Sequence, residues 1–272
     1  ICDTLICQSV IMYICIGLNM NTTIMSIVNQ KGGVGKTTTA LNVGVALAKY
    51  HSKKVLLIDI DPQGNLSTSL GFKLSGDDNI YKALVGNLKS LPIMQSKEGV
   101  DVVVSSLDLV TAERQLMGEA GSEHVLSELL DLIKNNYDYI LIDCPPSLGT
   151  LTFNALTAST DVFIVAQAQF LALQGVGQLL YTIDKIKNRI NKGLKLSGVI
   201  ITQYQKNLIL SQQVENTILE QFPEIVFESK IRVNTALAES VSESESVFAW
   251  DDKCNGAVDY KNLTDEIVMR LK

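Results

Sequence analysis

Short runs of valine, isoleucine and leucine recur along the chain and alternate with stretches that have helical apolar spacing. Each run is nearly uninterrupted, which is typical of strands buried on both faces of a parallel sheet. The strands predicted from these runs are residues 24–29, 54–60, 101–106, 138–144, 161–167, 196–202 and 225–231. The helices predicted between them are residues 37–50, 122–136, 173–191, 211–221 and 260–271. This alternation predicts an α/β fold with a doubly wound, mostly parallel sheet flanked by helices on both faces.

Length and composition fit this architecture. The chain has 272 residues, of which 46% are hydrophobic, enough for a sizeable buried core. Since no proline-, glycine- or serine-rich linker divides the chain, we expect residues 20–272 to form a single domain. The formal net charge of −6 excludes a strongly basic surface over the whole molecule, but it does not exclude a local basic patch.

The first 19 residues differ from the rest of the chain. They contain no lysine or arginine, and their uninterrupted apolar run, Val10–Leu18, is about half the length needed to cross a bilayer. We interpret residues 1–19 as a translated upstream or non-native extension ahead of a start at Met20; a short membrane-seeking tail is the alternative. The segment holds three of the five cysteines, and the two that remain suggest neither a disulfide nor a zinc framework. We therefore expect a cytoplasmic protein.

A glycine-rich loop, QKGGVGKTTT (30–39), joins the first predicted strand to the first predicted helix. Glycines let backbone N–H groups approach a ligand closely, and a helix N-terminus adds free donors and partial positive charge. This context predicts a phosphate-binding loop over Gly32–Thr38, in which Lys36 contacts the terminal phosphates and Thr37 ligates Mg²⁺. The usual pattern has glycine where this chain has Gln30, so a glycine-rich turn that binds nothing is the alternative. The loop residues predicted to contact the nucleotide are Lys31, Gly32, Gly33, Val34, Gly35, Lys36, Thr37 and Thr38.

Aspartates follow two of the apolar runs. Asp59 lies near the end of the run at 54–60, and Asp61 directly follows that run. Asp143 lies near the end of the run at 138–144. An aspartate in such a place often only caps a helix or starts a turn. Ligands of α/β sheets, however, bind where the strands end. We therefore expect Asp59 to line the nucleotide site, Asp143 to hold Mg²⁺ through water, and Asp61 to position or deprotonate a hydrolytic water.

Four motifs together resemble the ParA family of partition ATPases, a group with a deviant Walker A loop that also includes MinD. They are KGGVGKTTT, VLLIDIDPQGNLS, YILIDCPPSLG and LSQQV, and they occur in the family's order and spacing. The resemblance extends from about Met20 to the C-terminus.

The resemblance implies an ATP- and Mg²⁺-dependent enzyme that dimerises on ATP and hydrolyses it slowly. Lys31 corresponds to the family's signature lysine, which crosses the dimer interface to the phosphates held by the partner subunit. Catalytic roles then fall to Lys31, Lys36 and Asp61, and Asn234 matches an asparagine near the adenine. The implied cellular role is partition of a chromosome or plasmid with a ParB-like centromere-binding protein.

The C-terminal stretch YKNLTDEIVMRLK bears on a second candidate function, that of a MinD-like membrane-associated positioning ATPase. It mixes acidic and basic residues, so it is a weak interfacial anchor, and we expect no membrane binding.

The resemblance also implies non-specific DNA binding at the nucleoid. Asn207 and Ala236 stand where relatives carry the arginines that contact DNA, so we expect this binding to be weak. Nearby basic residues that could substitute are Lys206, Lys230 and Arg232. A second basic group contains Lys187, Arg189, Lys192 and Lys195.

Overall fold

The computed structural model describes residues 22–169 and 172–272, and their centre is one seven-stranded sheet. Its strands are β1 (Thr23–Val28), β2 (Val55–Asp59), β3 (Ile93–Gln95), β4 (Asp101–Val103), β5 (Tyr139–Asp143), β6 (Asp161–Gln167) and β7 (Lys195–Thr202). The spatial order is β3-β4-β2-β5-β1-β6-β7, and every pair is parallel except β3 with β4. The predicted fold class is confirmed. Residues 1–19, for which we predicted an extension, lie outside the described residues.

Eleven α-helices are described around this sheet: α1 (Lys36–His51), α2 (Asn65–Ser69), α3 (Ile80–Leu84), α4 (Leu109–Leu116), α5 (Val125–Asp131), α6 (Thr150–Ala158), α7 (Ala172–Arg189), α8 (Ile209–Gln221), α9 (Ala236–Ser242), α10 (Val247–Trp250) and α11 (Asn255–Arg270). The helix predicted at 122–136 is broken. Short 3-10 turns at Ser122–His124 and Lys134–Asn136 flank α5.

The apolar runs become strands because each supplies side chains to both faces of the sheet. Successive residues point in opposite directions, so Leu56 joins the core on one face and Leu57 the core on the other. All residues of β2, β5 and β6 are buried, as expected for central parallel strands between helical layers.

The prediction of a strand at 225–231 is wrong. Among the described residues, this segment makes a single bridge to β7, Val226 with Val199, and a second bridge, Arg232 with Tyr204, lies just beyond the ends of both. Strand β3 was not predicted, because it is three residues long and its Ile93 is exposed.

The register of the sheet brings the predicted site residues to one edge. Asp59 pairs directly with Asp143, and Asp143 also pairs with Ile27, one residue before β1 ends. Helix α1 packs closely over β2 at Gly44, where an added Cβ would lie 2.5 Å from a Leu57 methyl carbon. A larger residue at 44 would therefore force the Leu57 side chain to shift or α1 to move away from β2.

Candidate active site at the carboxyl edge of the sheet

The glycine-rich loop leaves β1 and returns as helix α1. Gly33 and Gly35 have φ values of 74° and 92°, in the left-handed region that favours glycine. Asn29 anchors the loop, because its side-chain amide donates to the Val165 carbonyl (2.6 Å) and its oxygen accepts the Lys31 backbone N–H (2.8 Å). No side chain among the described residues caps the N-terminus of α1, so its first N–H groups face the loop unshielded.

The predicted loop residues differ in exposure. Gly32 and Gly33 are exposed, Val34 is buried, and Gly35, Thr37 and Thr38 are half-buried. Lys36 is only 6% exposed, and its Nζ donates to the Lys31 carbonyl (3.4 Å).

The three aspartates differ in the hydrogen bonds that their carboxylate oxygens accept. Asp59 is fully buried and accepts hydrogen bonds from the Ser67 N–H (2.8 Å), the Ser67 hydroxyl (2.7 Å) and the Asp61 N–H (3.2 Å). These bonds tie the loop that carries Asp61 to β2 and α2. Asp61 is nearly buried, and one of its oxygens accepts the Gln63 N–H (3.0 Å).

Asp143 is the exception in this cluster. It is fully buried, yet neither of its carboxylate oxygens accepts a hydrogen bond from the part of the chain that the structure describes. Burial, and next the neighbouring Asp59, raise the pKa of Asp143 well above its usual value, although Thr37 and Lys36 favour the charged form. Burial raises the pKa of Asp59 to about 7, and burial also lowers the pKa of Lys36.

Two orphaned oxygens beside a half-buried hydroxyl fit a small hard cation. Mg²⁺ prefers oxygen ligands and keeps several of its waters, so Asp143 and Thr37 could hold it without a complete protein cage. The buried ammonium of Lys36 and the open N-terminus of α1 meanwhile suit a polyanion. The arrangement can therefore bind a metal-complexed phosphate chain.

A cavity of about 430 Å³ lies next to the loop. Its walls contain Gly35 and Thr38 from the loop region, Thr202 and Gln203 from the end of β7, and Asn234 with apolar side chains of the 231–241 segment. The Asn234 oxygen is engaged by the Ala236 N–H (2.9 Å), which leaves its side-chain N–H groups for a ligand. The cavity adjoins the phosphate loop, and its apolar lining suits a nucleobase.

Comparison with known proteins supports this interpretation. A family model described as an AAA domain matches residues 22–196. Sporulation initiation inhibitor protein Soj of Bacillus subtilis is 40% identical over 90% of this chain and 97% of its own length. Chromosome partitioning protein ParA of Caulobacter vibrioides is 40% identical over 91% of this chain and 94% of its own length. The chain belongs to the Soj/ParA family of chromosome-partitioning ATPases.

The fold of this family member also matches a solved structure. Cobyrinic acid a,c-diamide synthase from Mycobacterium smegmatis, crystallised with ADP and magnesium, aligns with a TM-score of 0.81 at 33% identity, covering 92% of this chain and 95% of that one. In the described segments of our chain, no helix combines the length and apolar character needed to span a membrane.

Lys31, predicted to be the family's signature lysine, is held within its own chain. Its Nζ donates to the side-chain oxygens of Gln167 (2.9 Å) and Gln169 (3.3 Å), at the end of β6. Reaching a partner subunit would require breaking both contacts.

Two of the three basic residues expected to bind DNA already form salt bridges with carboxylates. Lys230 pairs with Glu215 (2.6 Å), and Arg232 makes a forked contact with Asp259 (2.6 Å at the closest). Lys206 is exposed. Two positions stand where relatives carry arginines. Asn207 is exposed, whereas Ala236 is only 7% exposed and forms part of the hydrophobic core at the start of α9.

Sequence reasoning missed three polar residues of the site. Ser67 lies within one of the family motifs, eight residues after Asp59, so that motif was a usable signal for it. Gln167 and Gln203 meet only through the pairing of β6 with β7, and nothing in the sequence indicates that contact.

We expect the nucleotide-free protein to lose stability as the pH rises from about 5 to about 7. The folded Asp59 carboxyl keeps its proton up to a pKa of about 7, whereas the unfolded one loses it near 3.8, so the folded state binds more protons in this window. One such proton corresponds to about 1.4 kcal/mol per pH unit at most. Calorimetric Tm values at pH 5, 6 and 7 test this. An Asp59→Asn control should reduce the slope without abolishing it, because the pKa of Asp143 is raised as well. A Tm that rises across this window would contradict the expectation.

Proposed function

We propose that this chain is a Mg²⁺-dependent ATPase that dimerises on ATP and partitions chromosomal or plasmid DNA with a ParB-like partner. The orphaned Asp143 carboxylate, beside Lys36 and Thr37 at the open end of α1, is the observation that carries the proposal. Gly32–Thr38 cradles the phosphates, and Thr37 and Asp143 hold Mg²⁺. Residues 20–272 act as one domain.

Bound Mg²⁺ neutralises charge that develops on the transferred phosphoryl group. The chain supplies the positioning. Lys36 contacts the terminal phosphates, Asp61 orients a water at the outer end of the β2 loop, and Asn234 contacts the adenine end. Lys31 acts on the nucleotide of the partner subunit, so full stabilisation of the transition state exists only in the dimer.

An ATP-gated dimer is the first expected result. The protein starting at Met20 should sediment as a monomer without nucleotide or with ADP, and as a dimer with Mg·ATP. Lys31→Ala should bind ATP but stay monomeric, because the contact in trans is lost, whereas the exposed Lys97→Ala should behave like wild type. A monomer under all conditions would contradict the prediction of an ATP-gated dimer. A dimer that never releases phosphate would indicate a nucleotide-gated binding protein instead of an enzyme.

A MinD-like membrane role is less well supported by helix α11. Its apolar residues Tyr260, Leu263 and Ile267 are buried against the core and are not presented to a lipid surface. ATP-dependent pelleting with anionic liposomes would nevertheless favour that role over DNA partition.

DNA binding is expected to be ATP-dependent, independent of sequence, weak, and largely lost by roughly 200 mM salt, since phosphate contacts by lysine and arginine dominate it. Because Lys230 and Arg232 are already paired with carboxylates, Lys206 carries most of the effect. Two copies of Lys206 in a dimer contribute about −1.8 to the slope of log K against log salt. Retention on random-sequence duplex across a salt series measures this.

Variants then locate the DNA surface. Lys206→Ala should weaken retention as much as the triple alanine variant of Lys206, Lys230 and Arg232. Unchanged retention in the triple variant would place the surface elsewhere, and the first group to test is Lys187, Arg189, Lys192 and Lys195. With such binding the protein associates with the nucleoid in the cytoplasm; without any binding at low salt, it reaches its cargo through the partner alone.

A further inference from the structure

Gln203 has an unusual backbone conformation for its residue type. It directly follows β7 and has a φ of 51°, which few residues other than glycine adopt. Such strained positions persist only where surrounding contacts hold them, and they are common at ligand clamps and switch regions. The contacts of the Gln203 side chain show what holds it.

Gln203 belongs to a directional series of hydrogen bonds. The Lys31 ammonium donates to the Gln167 side-chain oxygen (2.9 Å), the Gln167 amide N–H donates to the Gln203 oxygen, and the Gln203 amide N–H donates to the Gly33 carbonyl (2.7 Å). An ammonium can only donate and a carbonyl can only accept, so the two ends fix the orientation of both amides. We call this series the amide chain.

The amide chain begins and ends in the glycine-rich loop. It runs from Lys31 across the ends of β6 and β7 and returns to Gly33, two residues further along the loop. Gln203 also lines the 430 Å³ cavity, together with Thr38 and Asn234. One side chain therefore contacts the space for the base and the bonds that hold Lys31.

We propose that Gln203 is a positioning residue that links occupancy of the base cavity to release of Lys31. A purine in the cavity offers donors and acceptors of its own to the Gln203 amide and draws it away from Gln167. Gln167 then loses the partner that fixes its orientation, and its oxygen is no longer held toward the Lys31 ammonium. The longer contact with Gln169 (3.3 Å) is then the only one of the two side-chain contacts that still holds Lys31. The use made of the freed Lys31, in the partner subunit, rests on the proposed function.

This linkage gives the base a role beyond affinity. A triphosphate without a base can occupy the glycine loop, but it leaves the amide chain intact and Lys31 held. Adenosine without phosphates fills the cavity and removes the Gln167 contact of Lys31, although it cannot support the dimer. The two halves of ATP therefore have separable effects.

The first experiment measures Lys31 itself. The protein is labelled briefly with an acetyl N-hydroxysuccinimide ester, and modification of Lys31 relative to the exposed Lys97 is quantified by mass spectrometry. Saturating adenosine should raise Lys31 labelling about tenfold in wild type, the size expected for losing a hydrogen bond to a charged group. Gln203→Leu should show the raised rate without adenosine, and the exposed neighbour Gln205→Leu should match wild type.

A second variant distinguishes loss of the Gln203 contacts from misfolding caused by leucine at this position. Gln203→Asn keeps a residue that tolerates the left-handed backbone but is too short to span Gln167 and Gly33, so it should label like Gln203→Leu. If both variants label Lys31 at the wild-type rate, or adenosine has no effect on wild type, the proposal is overturned.

The second experiment compares dimerisation by Mg·ATP with that by Mg·tripolyphosphate at saturation. Wild type should dimerise about tenfold more tightly with ATP than with tripolyphosphate. Gln203→Leu should narrow this ratio to near one, because Lys31 has already lost its Gln167 contact in this variant. An unchanged ratio overturns the link. If wild type never dimerises with ATP, the proposed function fails, while the labelling result still decides whether Gln203 controls Lys31.

Discussion

Asp61→Ala is expected to slow ATP hydrolysis by about 10²- to 10⁴-fold, the range typical for loss of a positioned acid–base group. Asp61 follows the buried end of β2, and one of its oxygens accepts the Gln63 N–H (3.0 Å), which leaves the other for a water. The glycine loop and the Asp143–Thr37 pair stay intact, so ATP should bind with near wild-type affinity. Single-turnover phosphate release and ATP titration separate the two effects.

The same variant should accumulate as an ATP-bound dimer, because hydrolysis is what releases the subunits. Asp108→Ala is a suitable control, since Asp108 is an exposed aspartate that follows β4 on the same side of the sheet. Hydrolysis at the wild-type rate in Asp61→Ala would show that another group positions the water.

Asp143→Asn is expected to have opposite effects on activity and on stability. Burial and the neighbouring Asp59 disfavour the charged form of Asp143, and a neutral amide removes this cost, so the nucleotide-free protein should gain about 1–3 kcal/mol of unfolding free energy. The same change removes a charged ligand for Mg²⁺, so hydrolysis and the Tm increase produced by Mg·ATP should be largely lost. Denaturant unfolding with and without Mg·ATP measures both effects.

Asp259→Asn provides the matched control. Asp259 is also nearly buried, but its oxygens receive the Arg232 guanidinium, so its amide variant should destabilise the protein. A loss of stability in Asp143→Asn as large as in Asp259→Asn would mean that the carboxylate at 143 is compensated after all.

The central strands and the acidic edge were predictable because their causes are local. Burial on both faces demands continuous apolar runs, and the aspartates that end β2 and β5, Asp59 and Asp143, then pair in register. The glycine loop was predictable for the same reason, since its strand, turn and helix are consecutive in sequence.

What the sequence left open depends on contacts between distant segments. The run at 225–231 has the composition of a strand, but among the described residues a single bridge, Val226 with Val199, joins it to β7 at the end of the sheet. The salt bridge of Arg232 joins it to a helix 27 residues further along the chain, and the amide chain joins residues up to 170 positions apart. No periodic pattern in the sequence predicts contacts between segments that lie so far apart.

The segment that runs beside β7 has a consequence for how this protein avoids aggregation. An eight-residue strand at the margin of a sheet is an open template for pairing with other chains. Here the Ile225 and Ile231 carbonyls accept hydrogen bonds from the N–H groups of Val199 and Tyr204. Part of the exposed edge at β7 is therefore already hydrogen-bonded within the molecule. The opposite margin is the three-residue, antiparallel β3. With one margin partly covered and the other short, uncontrolled pairing with strands of other chains is disfavoured.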